Sequence, residues 1–289
     1  MPRFLRLLTV LAAPKWGGRP RPRATPWSRF FFALIFAQPI YSFANLTPAA
    51  TAAFDRYIEL TEARMKSDLD PARFLQIDAK PETKAKLRSG EVRIQPGVAR
   101  ENGKELSIPD ALVQDWLGTI FIPGAGIQQV KAVLQDYENY KIFYKPEVTE
   151  SRLISHTGDE FDVFLRLYKK QVITVVLNTN YHVRYALLDP QRMYVNSRST
   201  RIAQASDAKH PEAHEEPIGN DGGYLWRLNS YWRFEAADGG VYAECRAISL
   251  SRDVPALVGW AIRGFIEKFP KESMHNTLVG TKAAVAKRL

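Results

Sequence analysis

The chain is short of the features that most often announce a function. It has one cysteine, Cys245, so no intrachain disulfide forms and the fold rests on its core. A nucleophile elbow, a phosphate-cradling glycine loop and the paired-histidine signature of metalloproteases are all missing, which leaves no motif-borne hydrolase or nucleotide chemistry. No internal repeat or low-complexity tract is present, which excludes a solenoid. No acid occurs before Asp55, and no apolar run reaches the roughly 20 residues that a membrane-spanning helix needs.

What is present is an ordinary globular composition, 45% hydrophobic over 289 residues, with a formal charge of +9. Seven of the positive charges, Arg3, Arg6, Lys15, Arg19, Arg21, Arg23 and Arg29, lie in the first fifty residues. Setting them aside leaves about +2, too small a bias to call for a nucleic-acid partner. Arg21, Arg23 and Arg29 precede an apolar run from Phe30 that ends at Ser42, Phe43 and Ala44, the parts of a secretory leader. We expect cleavage after Ala44 and a secreted or periplasmic protein. Retention of Phe30 to Ala44 as an anchor, or a cytoplasmic protein with a misplaced start, are the alternatives.

Residues 45–110 read as an accessory region rather than a domain. Thr47 as cap, Pro48 at the first helical position and the spacing of Phe54, Tyr57, Ile58 and Met65 predict a helix to about Leu69, and Glu91 to Gln95 reads as a strand. From 111 onward the order is strand, helix and six more strands, with a helical tail. The strands are Val113–Ile122, Val148–His156, Phe161–Tyr168, Val172–Leu188, Arg192–Ala205, Leu225–Ala236 and Val241–Leu250. The first helix carries Ile127, Val130, Val133 and Leu134, and the tail reads as one helix up to Pro270 and another from Glu272. The fold class is α+β, a seven-stranded curved antiparallel sheet around a long C-terminal helix.

Alternation separates the faces of the strands. Phe161, Val163 and Leu165 face inward, as do Val175, Leu177, Tyr181 and Tyr185, and Trp226, Trp232 and Phe234; Trp260 and Phe265 of the tail helix face them. These twelve are the candidate cavity-lining residues, beside plain core packing as the bland reading. Arg227, Tyr231 and Arg233 are expected on the solvent side. Glu244 and Arg246 form either a solvent-facing ion pair or, with Arg201, buried polar groups in the cavity. His210 and His214 with Glu212, Glu215 and Glu216 have the residue types of a zinc site, but Pro211 and Pro217 put them in a loop, so no metal is expected.

Thr119-Ile120-Phe121-Ile122-Pro123 running into Val130 to Tyr140, then Pro146-Glu147-Val148, and Asp253-Val254-Pro255 through Phe269-Pro270 and Glu272, resemble the START-like, helix-grip superfamily over residues 111–289. That superfamily includes steroid and phospholipid transfer domains, polyketide cyclases and coenzyme-Q-binding proteins. The resemblance implies a cavity for an apolar molecule and fixes no activity.

Three functions follow. The first is a carrier or sensor of a hydrophobic small molecule such as a lipid, quinone or polyketide-like compound, without catalytic residues or cofactor, and with transient membrane contact. The second is a cyclase, dehydratase or hydrolase using Tyr181, Tyr185, Glu244 or Arg246. The third is an interaction module with a filled cavity and an Arg227–Tyr231–Arg233 docking row. Oligomeric state is left open.

Overall fold

The structure, a computed structural model, describes residues 44–67, 73–170, 173–212, 214–253 and 259–289, with only the backbone of 44 and 259–268. The leader up to residue 43 lies outside the described residues, and the described residues from 44 onward belong to one compact unit.

Helix α1 (Pro48–Ser67) starts where Thr47 Oγ1 accepts the Ala50 N–H at 3.1 Å. Its buried stripe is Ala50, Phe54, Tyr57, Ile58 and Thr61, three and four residues apart. A second short helix, α2 (Pro81–Arg88), and strand β1 (Arg93–Pro96) follow. Then comes the long strand β2 (Ala111–Pro123), a crossover carrying α3 (Ile127–Leu134) and α4 (Tyr140–Phe143), and six strands in succession. These are β3 (Val148–Thr157), β4 (Glu160–Lys170), β5 (Thr174–Asp189), β6 (Arg192–Gln204), β7 (Arg227–Ala237) and β8 (Gly240–Arg252). Helix α5 (Gly259–Ala286) closes the chain.

The sheet order is β1-β2-β8-β7-β6-β5-β4-β3, with every neighbouring pair antiparallel. With α5 laid on its inner face this is the expected helix-grip arrangement, with eight strands where seven were predicted. The additional strand, β1, comes from the accessory region, where Glu91 to Gln95 reads as a strand, and it extends the sheet beside β2. The tail also differs, since α5 runs through Pro270 as one helix. The proline forfeits one backbone hydrogen bond but does not end the helix.

Two cores flank the sheet. On the inner face α3 and the C-terminal half of α5 bury Ile127, Val130, Val133, Leu278, Ala284 and Val285 against Ile120, Ile122, Phe234, Val241 and Ala243. Helix α5 approaches β2 so closely that a Cβ on Gly118 would lie 2.6 Å from Leu278 Cδ1. On the outer face α1 covers Tyr231, Ile248 and Leu250, while Phe74, Leu75, Ile77 and Leu87 cover Phe121 and Tyr242. The outer face is therefore an interior too, and the accessory region supplies its other wall.

This corrects the reading of the Arg227–Tyr231–Arg233 row as a solvent-side docking surface. Tyr231 and Arg233 are 1% and 3% exposed. The Tyr231 hydroxyl donates to Glu62 at 2.6 Å, and the Arg233 guanidinium donates to the carbonyls of Phe74 and Met65 at 2.9 and 2.8 Å. Those acceptors lie more than 150 residues away in the chain, so local polarity pattern gave no sign of them.

Candidate ligand cavity

Between the middle of α5 and the inner face of the sheet lies a cavity of about 310 Å³. Volume explains its position. Where α3 and the end of α5 meet the sheet, inward side chains are large and the space is filled. Beside Phe269, Pro270, Ser273, Met274 and Thr277 of α5, the floor is made of Ser197, Ser230, Cys245, Ala247, Ser249 and Ser251. Ser197 and Ser230 sit directly opposite each other on β6 and β7, and Ser230 opposite Ala247 on β8. Small residues on adjoining strands leave the sheet without the volume to reach the helix.

The walls are aromatic. Tyr137, Tyr140, Tyr144, Tyr181 and Tyr185 stand at one side, and Trp116 and Trp232 bound the floor. Tyr185 donates to the Leu134 carbonyl at 2.8 Å, so Tyr137, 2.6 Å from the Tyr185 hydroxyl, must donate to it. Tyr140 donates to the same carbonyl. Tyr144 lies 3.0 Å from Thr281 Oγ1, whose own proton goes to the Thr277 carbonyl at 2.8 Å, so Tyr144 is again the donor. Four tyrosines thus spend their protons inside the wall and offer ring surface to the cavity. Burial pushes the hydroxyls of Tyr144 and Tyr181 up to about 12, and those of Tyr137, Tyr140 and Tyr185 upward as well. They are neutral across the ordinary pH range. Burial likewise raises the Cys245 thiol.

At the rim, Lys169 Nζ lies 3.3 Å from Glu147 Oε1 and 3.3 Å from Glu272 Oε2, and Asn276 of α5 donates to Glu147 at 2.9 Å. These contacts tie α5 to the edge strands beside the opening.

Of the predicted lining residues, Val163, Leu165, Val175, Leu177, Tyr181, Tyr185 and Trp232 do line the cavity. Phe161 and Phe234 do not. Both face inward, but each is packed in the filled core: Phe161 against Tyr137 and Tyr185 with ring centroids 5.6 and 5.3 Å away, and Phe234 stacked on Trp232 at 5.4 Å. Trp226 is on the wrong face. It precedes β7, where alternation no longer holds, and its indole N–H donates to Asp221 at 3.1 Å within the outer core. The side chains of Trp260 and Phe265 lie outside the described residues.

Neither reading of Glu244 and Arg246 holds, because both are buried on the outer face. Arg246 forms a two-pronged ion pair with Asp115, Nε to Oδ1 at 2.9 Å, and Tyr57 donates to Asp115 at 2.9 Å. Glu244 accepts the Gln76 N–H at 3.0 Å. Arg201 is also outside the cavity. The β5–β6 register slips between the pairs Asn180–Arg201 and Tyr181–Ser199, which leaves Arg201 to pair with Glu215. Glu215 also accepts from Asn178 at 2.8 Å, so one of the three glutamates of the histidine loop is engaged by the sheet.

The floor serines and the α3–α4 tyrosines were not foreseen. Neither set is among the twelve candidate lining residues, and only the serines carried a local signal. Their signal was small side chains recurring on one parity of three adjacent strands.

No protein-family model matches the chain, and a search of curated proteins gives no match. Among solved structures it is similar to a STAR-related lipid transfer protein (fragment 25–204) from Xanthomonas axonopodis, at 16% identity and a TM-score of 0.43 over 66% of this chain and 98% of that one. It is similar to the Zhui aromatase/cyclase of Streptomyces sp. R1128, at 13% and 0.43 over 61% and 96%. It is also similar to human STARD10, at 9% and 0.39 over 72% and 80%. At these identities and TM-scores the likeness carries no argument about activity or ligand.

Proposed function

We propose that the protein binds and carries, or senses, a hydrophobic small molecule in the cavity beneath α5. The observation that supports this is the hollow itself, about 310 Å³, at the lower end of the range typical of small-molecule sites and walled by Trp116, Trp232 and seven tyrosines. Two of the four groups considered for catalysis, Glu244 and Arg246, face away from it, and Tyr185 has its proton committed to Leu134. A carrier needs none of them. Export belongs to the same proposal: a cut after Ala44 leaves Asn45, paired with Asn220, at the new N-terminus, and the intact mass of the exported protein tests that cut.

The binding test is native mass spectrometry of the protein after incubation with a lipid extract, beside the variant Ala247→Phe, which fills the floor. The native chain should retain an added mass and the variant should not. Equal retention by both, or none by the native chain, refutes the proposal.

A further inference from the structure

The cavity's two sides differ in what they can still bond. On the wall, the hydroxyls of Tyr137, Tyr140, Tyr144 and Tyr185 are donated within the protein. On the floor, Ser197, Ser230, Ser249 and Ser251 line the hollow, and none of their hydroxyls bonds to a protein group among the described residues. Ser251 is only 5% exposed and still opens onto the cavity.

The four serines form a track. Ser197 and Ser230 are cross-strand partners, Ser230 pairs with Ala247, and Ser249 and Ser251 continue along β8. The track therefore crosses three neighbouring strands, about 10 Å at the usual ~4.8 Å spacing, and then turns along β8 by two more residue pairs. A buried hydroxyl deprived of water without a substitute partner costs about 1–3 kcal/mol. A plain hydrocarbon in this cavity would strip water from all four. A molecule with oxygen atoms along one edge would replace that water bond for bond.

We infer that the ligand is an elongated apolar molecule carrying two or more hydroxyl or carbonyl oxygens along one edge, which lie on the Ser197–Ser230–Ser249–Ser251 track while its bare face meets the tyrosine wall. This rests on the proposed carrier function and names the class of its cargo.

The test compares two probes of one tricyclic skeleton, anthracene and 1,8-dihydroxyanthracene, whose two hydroxyls lie along one edge. Affinities are read from quenching of the tryptophan fluorescence, to which Trp116 and Trp232 in the cavity wall contribute. The full chain is set beside the triple variant Ser197→Ala, Ser230→Ala, Ser249→Ala, whose folding is checked by its melting temperature. The native chain should bind the oxygenated probe at least tenfold more tightly than anthracene. In the variant that probe should weaken roughly tenfold, the loss of one to two net hydrogen bonds, while anthracene holds or gains. Anthracene bound as tightly as the oxygenated probe by the native chain, or a preference unchanged in the variant, overturns the inference. Failure of both probes to bind overturns the carrier reading instead, and the inference with it.

Discussion

Replacing Glu244 with glutamine should stabilise the protein at about pH 8 and leave it unchanged near pH 4. The carboxyl is 3% exposed, enclosed between β8 and the segment around Gln76, whose N–H it accepts at 3.0 Å. Loss of water pushes its pKa from 4.5 up to about 7; Arg233 and the Gln76 amide oppose the rise, Asp78 adds to it and Arg246 opposes it. Between these two pH values the unfolded chain releases a proton that the folded chain keeps. The contribution to stability is thus complete below 4.5 and lost as pH climbs through about 7. A rise from 4.5 to about 7 corresponds to about 3 kcal/mol. Glutamine retains an acceptor for the Gln76 N–H and has no charge to desolvate. Urea unfolding of both chains at several pH values between about 4 and 8 measures the difference. The gap should be near zero at the acidic end and grow to about 3 kcal/mol in favour of the variant. A gap that stays constant with pH, or one that favours the native chain at pH 8, would show that burial of Glu244 is not the controlling term.

Arg246→Met should cost about 3–5 kcal/mol, because it leaves the Asp115 carboxyl buried without its ion-pair partner; adding Asp115→Leu should recover most of that loss in urea unfolding. Gly118→Val should lower the melting temperature by an amount equivalent to about 1–3 kcal/mol, since its Cβ would meet Leu278 and Met274 of α5. Tyr185→Phe should cost about 1–3 kcal/mol by leaving the Tyr137 hydroxyl without its acceptor and removing one of the two donors to Leu134, measured as a shift in the urea midpoint at unchanged slope.

Strand alternation was enough to read one face of β5. Val175, Leu177, Tyr181 and Tyr185 hold one parity along an uninterrupted strand, and all four reach the cavity. It failed where a second segment decides the outcome. Phe161 and Phe234 have the right parity, but α3 and the end of α5 fill the space before them. Arg201 follows a register slip that no local pattern announces. Asn229, Tyr231, Arg233, Glu244 and Arg246 look like a solvent face because each is polar. They are buried because their partners, among them Glu62, Phe74, Gln76 and Asp115, arrive from far along the chain.

The two faces are therefore specified by different physics. The inner face is written in volume: four serines, an alanine and a cysteine on adjoining strands create the hollow, and enlarging any one of them removes part of it. The outer face is written in partnership, because a buried arginine or glutamate is tolerable only while the residue facing it stays in place. Residues 45–110 provide most of those partners and β1 as well, so they are a structural wall of the sheet rather than an accessory to it. Loosening that wall would expose charge without opening the cavity, and a change confined to the serine track would alter the cavity without disturbing that wall.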